Sequence, residues 1–391
     1  MIKVNKDKWI ETDIGSVADE INDKILNPAE FGCEKFIRPE DLEIGELYVK
    51  SFREPEDVGS GKQCFIGDIL FARRSVSVSQ FKRRSSILKF DGVCSDEITV
   101  IRQNNKKLYP EFLNLILNTT NLWDFAIARS VGSVSKRIKW EDLATYTFRL
   151  PKENEEQKQI VSLFQSIESA LEQVDNQEKN LKTLWKRLID EFVSDSPSFG
   201  NLLKGKKLKT YNYCDVTEKL MRRIDPLTYD IDRIVAGENL ESEDFKIRTW
   251  QKVGEGYLGP AFHVLFKAGD ILYGSRRTYL RKVSYADFDG VCANTTYVIK
   301  ANEELLLQVL LKHIMLSERF TQYSIGVSKG STNPYINWKD LDNFSFQVPD
   351  LETQREIANV LDGILKIVEQ LKQQKTTLKN LKQKLLNEIL G

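Results

Sequence analysis

The pentapeptide FDGVC occurs twice in this chain, at Phe90–Cys94 and Phe288–Cys292, 198 residues apart. A recurrence of that length constrains the fold more than any single motif, because it sets how many folding units the rest of the sequence must supply. The flanks repeat in the same order. GDILFARR (Gly67–Arg74) returns as GDILYGSRR (Gly269–Arg277), and IRPEDLE (Ile37–Glu43) returns as VAGENLE (Val235–Glu241), at offsets of 202 and 198. Downstream, KWEDLATYTFRLP (Lys139–Pro151) returns as NWKDLDNFSFQVP (Asn337–Pro349) at 198, and EEQKQI (Glu155–Ile160) as ETQREI (Glu352–Ile357) at 197. Five blocks in one order describe two copies of one module.

A chain of 391 residues, 41% hydrophobic and 29% charged, holds enough apolar material for more than one core. Lys+Arg and Asp+Glu are equal at 57 each, so attraction to a polyanion must come from local asymmetry. The start, MIKVNKDKWIETDIG, has no apolar leader, and no run approaches a membrane span, which leads us to expect a cytoplasmic protein. Five Cys without close pairing suit reduced thiols, and Cys94 and Cys292 suit buried strand positions.

Within each copy the pattern gives a mixed α/β globule followed by one long helix. KQCFIGDILFA and EITVIR in the first copy, and FHVLF and TTYVIK in the second, have strand character; YPEFLNLILN and EELLLQVLLKHIML read as short helices. After Pro151 and Pro349 the periodicity changes. Ile160, Phe164, Ile167, Leu171, Val174, then Glu178, then Leu181, Trp185, Leu188 and Phe192 alternate by four and three, which is a heptad seam. The second copy repeats it with Ile357, Leu361, Ile364, Val368, Leu371, Lys375, Leu378, Lys382, Leu385 and Ile389. At ~1.5 Å per residue, Glu155–Phe192 would extend about 57 Å. A narrow seam on an isolated helix stays wet, so the two helices are expected to pair as an antiparallel coiled coil, with the globules at opposite ends. The expected organisation is α+β: a globule over 1–152, a helix over 153–194, a second globule over 195–350 and a second helix over 351–391.

Catalytic signals are weak. GEGYLG (Gly254–Gly259) spells GxGxxG, but Pro260 and a strand follow it, so no helix N-terminus is available for a pyrophosphate. GVSKGST lacks the order of a phosphate loop, NPYI (Asn333–Ile336) lacks the second Pro of an adenine-methyltransferase motif, and EQK (Glu156–Lys158) opens a helix. Two His, His263 and His313, and scattered Cys leave little for a zinc site or a His-dependent triad. No metal is expected.

Basic density is the stronger signal. Lys62, Arg73, Arg74, Lys82, Arg83, Arg84 and Lys89 face a single acid, Asp68, within 28 residues. Arg276, Arg277, Tyr279, Arg281 and Lys282 stand at the corresponding place in the second copy. Ser133, Ser135 and Lys136, and likewise Ser328, Lys329, Ser331 and Thr332, add hydroxyls and a Lys suited to phosphate. The framework blocks match well between the copies and the basic loops match poorly, which suits two modules that recognise two different things.

The order globule, helix, globule, helix, with GDIL blocks, paired W-x-D-L…P blocks and a Gln-bearing helix start, resembles the specificity (S) subunit of type I restriction-modification systems. That resemblance covers essentially the whole chain. It implies two target recognition domains, spacer helices that also dock partner subunits, and no chemistry or cofactor in the chain itself. Adenine methylation with S-adenosylmethionine would belong to two modification (methyltransferase) subunits; ATP- and Mg-dependent translocation and cleavage would belong to restriction subunits. The expected ligand is double-stranded DNA with a bipartite, asymmetric site. Two other classes stay open on the residues alone: a cryptic enzyme with a coiled-coil dimerisation arm, and a scaffold that binds only proteins.

Overall fold

Why the same words recur is answered by what they bury. The computed structural model describes residues 6–73, 84–105, 108–132, 136–255 and 259–391. The chain forms two compact units, Met1–Asn176 with Lys372–Gly391, and Gln177–Leu371. Each unit therefore takes in a stretch of both long helices.

In unit 1, β1 (Ile10–Asp13) pairs antiparallel with β10 (Thr147–Leu150). One four-stranded sheet has the order β2 (Ala18–Ile21), β9 (Ile98–Gln103), β6 (Ile69–Ala72), β7 (Ser85–Ile87); a second has β3 (Lys24–Leu26), β5 (Ser60–Cys64), β8 (Gly92–Cys94), β4 (Phe36–Ile37). Helices α1 (Pro110–Leu117), α2 (Thr120–Arg129) and α3 (Trp140–Leu143) precede α4 (Asn154–Phe192). The run expected as one strand through KQCFIGDILFA is broken into β5 and β6, because Gly67 (φ 92°) and the buried Asp68 make a turn there. Asp68 accepts the Phe65 amide at 2.8 Å and an Arg102 guanidinium N–H at 2.7 Å. The apolar run Ile69–Ala72 follows from burial on both faces: Ile69 and Phe71 enter one core with Phe112 and Trp123, and Leu70 and Ala72 enter another with Ile37 and Cys94.

Unit 2 repeats this plan. Its strands are β11 (Lys209–Asn212), β12 (Thr217–Leu220), β13 (Arg233–Val235), β14 (Gln251–Lys252), β15 (Phe262–Phe266), β16 (Ile271–Gly274), β17 (Val283–Tyr285), β18 (Gly290–Ala293), β19 (Thr296–Ala301) and β20 (Ser345–Val348). They pair as β11-β20, β12-β19-β16-β17 and β14-β13-β18-β15. Its helices are α5 (Tyr213–Val216), α6 (Gln308–Ile314), α7 (Glu318–Gly326) and α8 (Leu351–Leu390). Asp270 repeats the work of Asp68, accepting the Lys267 amide at 2.8 Å and Arg222 at 2.6 Å. The helix expected across EELLLQVLLKHIML starts only at Gln308, since Gln354 Oε1 holds the Leu307 amide at 3.0 Å.

FDGVC is thereby accounted for. Asp91 and Asp289 accept the Ile66 and Ala268 amides at 2.9 and 2.8 Å, closing equivalent turns. Gly92 and Gly290 open β8 and β18, each of which runs parallel to a neighbour, β4 or β13. A Cβ on Gly92 would lie 3.0 Å from Lys35 O, and one on Gly290 would lie 2.5 Å from Phe266 Cζ, so the approach requires glycine. Cys94 and Cys292 are fully buried, and all five cysteines are free. The copies differ at a sheet edge: β3 extends the β5 side in unit 1, whereas β14 extends the β13 side in unit 2.

The Gln of EEQKQI and ETQREI ties each helix to its globule. Gln157 accepts the Tyr109 amide at 3.3 Å and donates to Pro151 O at 3.3 Å; Gln354, beyond holding Leu307, donates to Pro349 O at 2.9 Å.

Both helices carry the seam. In unit 1, Ile160 and Phe164 share a core with Leu386, Ile389 and Leu390; Leu171 and Val174 are buried, and Ile167, Leu378 and Leu385 are half-buried. Lys382 reaches Glu168, and Lys375 reaches Asp175 at 2.5 Å. Seven residues forward on α4 thus match seven residues back on α8, which is antiparallel heptad packing. Charge agrees: α4 from Glu155 to Asp175 carries Glu155, Glu156, Glu168, Glu172 and Asp175 against Lys158, while α8 from Lys372 to Lys384 carries five Lys and no acid. In unit 2, Trp185 and Ile189 share a core with Ile357, Leu361 and Ile364; Val368 and Leu371 are buried, and Leu181 and Leu188 are half-buried.

Two seam positions, Lys382 and Trp185, have informative polar partners. Lys382, which the sequence pattern marks only as an interruption, is buried and also donates to Gly45 O; burial pushes the Glu168 carboxyl up against the pull of Lys382. Lys382→Met would leave Glu168 buried without its cation and should cost unit 1 about 3–5 kcal/mol. Adding Glu168→Leu should recover most of that loss, as read from urea unfolding midpoints. In unit 2, Trp185 Nε1 donates to His313 Nδ1 at 3.2 Å, and His313 Nε2 lies 2.9 Å from Asp362 Oδ1. Those partners require the neutral Nε2–H tautomer, and burial pushes the His313 pKa down to about 4. The depressed value means that the unfolded chain takes up this proton first, so stability is full above pH ~6.5 and falls by about 1.4 kcal/mol per unit toward pH 4. Thermal unfolding against pH should show that slope, and His313→Gln should flatten it.

Candidate nucleic-acid interface

The basic segment of unit 2 is built on the end of β16. Ser275, buried, donates its amide and hydroxyl to Thr295 O at 3.1 and 2.6 Å and accepts the Ile336 amide at 2.9 Å, which lays residues 275–282 beside residues 327–336. Arg276 and Lys329 each form a bridge with Tyr335. The Arg277 amide donates to Pro334 O at 2.7 Å, and Thr278 Oγ1 lies 3.3 Å from Ser328 Oγ. The two sequence clusters, 50 residues apart, therefore share one surface.

Geometry separates residues that charge alone treats as equal. Arg281 is largely buried: its guanidinium meets Glu243 at 2.8 Å and Glu318 at 2.6 Å and donates to Leu316 O. Arg277, Arg281 and Glu243 all have left-handed backbones, at φ 51°, 51° and 56°, a conformation that costs a non-glycine residue about 1–2 kcal/mol. Arg281 thus anchors the turn. Lys282 donates to Gly237 O at 2.6 Å, and Lys329 pairs with Asp340 at 3.0 Å, holding that carboxyl below its usual range. Arg276, Arg277 and Tyr279 are exposed, as are Ser331 and Thr332 on the facing segment.

In unit 1, Arg74, Lys82, Arg83, Ser133 and Ser135 lie outside the described residues. Arg73 donates to Asp96 O at 2.7 Å, and its own carbonyl accepts the Ile138 amide, so in strand register it answers to Ser275 and not to Arg276. The one-residue difference between FARR and YGSRR hides that shift. Arg84 donates to Pro39 O at 2.7 Å, and Lys136 is half-buried beside the bridge between Val131 and Arg137. That bridge sits where Lys329 and Tyr335 meet in unit 2.

Two residues missed in the sequence belong to this surface. Asn333 and Tyr335 lie in NPYI, which is weighed there only as a failed catalytic motif; the signal for them was proximity to the Ser-Lys cluster. Of the seam residues expected to serve helix pairing and subunit docking, Trp185 and Leu371 are buried, in the unit 2 core and along the seam, whereas Ile167, Leu181, Leu188, Leu378 and Leu385 are half-buried. The large exposed apolar side chains on α4 and α8 are Leu184, Val360, Ile367 and Leu381. Among the described residues no three His, Cys, Asp or Glu cluster as metal ligands, and no helix is long and apolar enough to cross a membrane.

Arg281→Ala should therefore lower the thermal stability of unit 2 by about 2–3 kcal/mol through its lost charged hydrogen bonds. Arg276→Ala should change it by less than about 0.5 kcal/mol. Calorimetry of the full chain separates the two.

A family profile described as Type I restriction modification DNA specificity domain matches residues 7–182 and again 199–380. The type I restriction enzyme EcoDI specificity subunit of Escherichia coli is 30% identical over 160 residues, covering 41% of this chain and 34% of that protein. The HindI specificity subunit of Haemophilus influenzae is 30% identical over 100 residues, 24% of this chain and 22% of its own length. The matched stretches thus span about a third or less of these relatives. A chain from a type I R-M system solved to explain complex assembly and conformational transition shares the fold at TM-score 0.61 and 17% identity, covering 100% of this chain and 99% of its own. The type I S subunit of M. genitalium does so at 0.54 and 14%, covering 100% and 98%.

Proposed function

Because this chain belongs to the type I restriction-modification DNA specificity family, we propose that it is the DNA-recognition subunit of such a system, with each unit contacting one part of a bipartite, asymmetric duplex site. The observation that carries this reading is the division between what repeats and what varies. Buried turn carboxylates, close-packed glycines and helix-clamping glutamines recur in both units, while the amino-acid sequences of Arg276–Lys282 and Ser328–Tyr335 differ from those of Arg74–Arg84 and Ser130–Arg137. A scaffold repeated with different exposed loops suits two different half-sites.

Methylation by S-adenosylmethionine would then belong to two modification subunits, and ATP- and Mg-dependent steps to restriction subunits. Leu184, Val360, Ile367 and Leu381 are the side chains we assign to subunit docking, in place of the buried seam. A site in the cytoplasm, where DNA and those partners meet, follows from the same reading.

Filter binding of the full chain to duplex DNA should weaken by about 10³-fold or more between 50 and 200 mM salt if six or more phosphates are engaged. Arg276→Ala should lower the salt slope by about one. No retention of duplex DNA even at 50 mM salt would point instead to a scaffold that binds only proteins.

A further inference from the structure

Arg277 is an exposed cation that neutral partners hold in place. Its left-handed backbone is fixed by the amide hydrogen bond to Pro334 O, and its Nε donates to Asn333 Oδ1 at 3.1 Å. The turn that carries it is pinned at Thr278, buried, and at Arg281, locked by two carboxylates. With Nε occupied by Asn333, the two terminal nitrogens of the guanidinium remain, side by side, on an exposed residue. Exposed aromatic rings stand close by in sequence on the two segments, Tyr279 at 51% and Tyr335 at 44%.

A phosphate needs only a cation within reach, and a flexible Lys or Arg meets that need. Fixing Nε serves a different purpose, since it leaves a planar, end-on pair of donors whose spacing matches the O6 and N7 acceptors of guanine in the major groove. Resting on the DNA-recognition reading above, we propose that Arg277 reads a guanine in the half-site of unit 2 and that Asn333 is the positioning residue that aims it.

The test uses the full-length chain, alone and with its methyltransferase partner. Wild type, Arg277→Ala, Arg277→Lys, Asn333→Ala and Asn333→Asp are each selected against a randomised duplex pool. Affinity is then measured on the chosen site and on copies carrying 7-deazaguanine, which lacks the N7 acceptor, at each selected guanine in turn. In the wild type, one guanine should show a loss of about tenfold on 7-deaza replacement. Arg277→Ala and Arg277→Lys should lose both the preference for that guanine and the 7-deaza effect. Asn333→Ala should keep most of its affinity yet accept other bases at that one position. Asn333→Asp, whose carboxylate still accepts from Nε, should bind more weakly to all sequences but keep the guanine.

Arg277→Ala weakening all sequences alike with the 7-deaza effect intact would assign Arg277 to a phosphate and overturn the proposal, leaving DNA recognition standing. An unchanged selection by Asn333→Ala would remove Asn333 from the mechanism. Wild type insensitive to 7-deaza replacement at every selected guanine would overturn it without any variant. A wild-type pool with no selected position would sink the recognition reading itself.

Discussion

Neither long helix can keep its apolar stripe dry alone, and most of the architecture follows from that. A stripe of Ile160, Phe164, Leu171 and Val174 on α4 needs a partner of the same period, and α8 supplies Leu386 and Ile389 in the same core. Apolar seams are permissive about direction and register, because one heptad looks much like the next. The buried contact of Lys382 with Glu168, repeated one heptad on by Lys375 with Asp175, supplies the missing discrimination. Any other register would bury a Lys or Glu without its counterion, at a cost of several kcal/mol per ion. Polar seam residues are thus placed for specificity, with stability coming from their apolar neighbours.

The duplication, the helix pair and the α+β plan were legible because they rest on period and identity, which a sequence states directly. The reasons for the repeats were not. FDGVC and GDIL mark the duplication without saying what they do in it; they recur because Asp68, Asp91, Asp270 and Asp289 each close a turn through backbone amides, and because Gly92 and Gly290 let two strands meet. Gln157 and Gln354 opened their helices in the sequence as ordinary polar residues, yet each holds an amide and a carbonyl of its own globule. Several of these contacts, Asp91 with Ile66, Gln157 with Tyr109 and Gln354 with Leu307 among them, join residues 25 to 48 positions apart, and no local pattern announces those.

The same limit governs the surface. RRTYLRK, Arg276–Lys282, offers four cations in seven residues, and nothing in its composition ranks them. Glu243 and Glu318, each more than 35 residues away, decide that Arg281 is an anchor. Asp340 neutralises Lys329 in the same manner. In unit 1, the carbonyls of Asp96 and Pro39 make Arg73 and Arg84 part of the frame.

This sorting also explains how a chain with equal numbers of acids and bases can present cationic surface. Many of the acids sit opposite cations inside the frame, as Asp68 does with Arg102 and Asp270 with Arg222, so their fields cancel locally. The cations left on exposed loops then act through short-range geometry more than through net charge, whose influence fades within about 8–10 Å at physiological salt. A recognition surface of this kind can change its loop residues freely, provided that the buried carboxylates beneath keep their own partners. That is the pattern in which the two units differ.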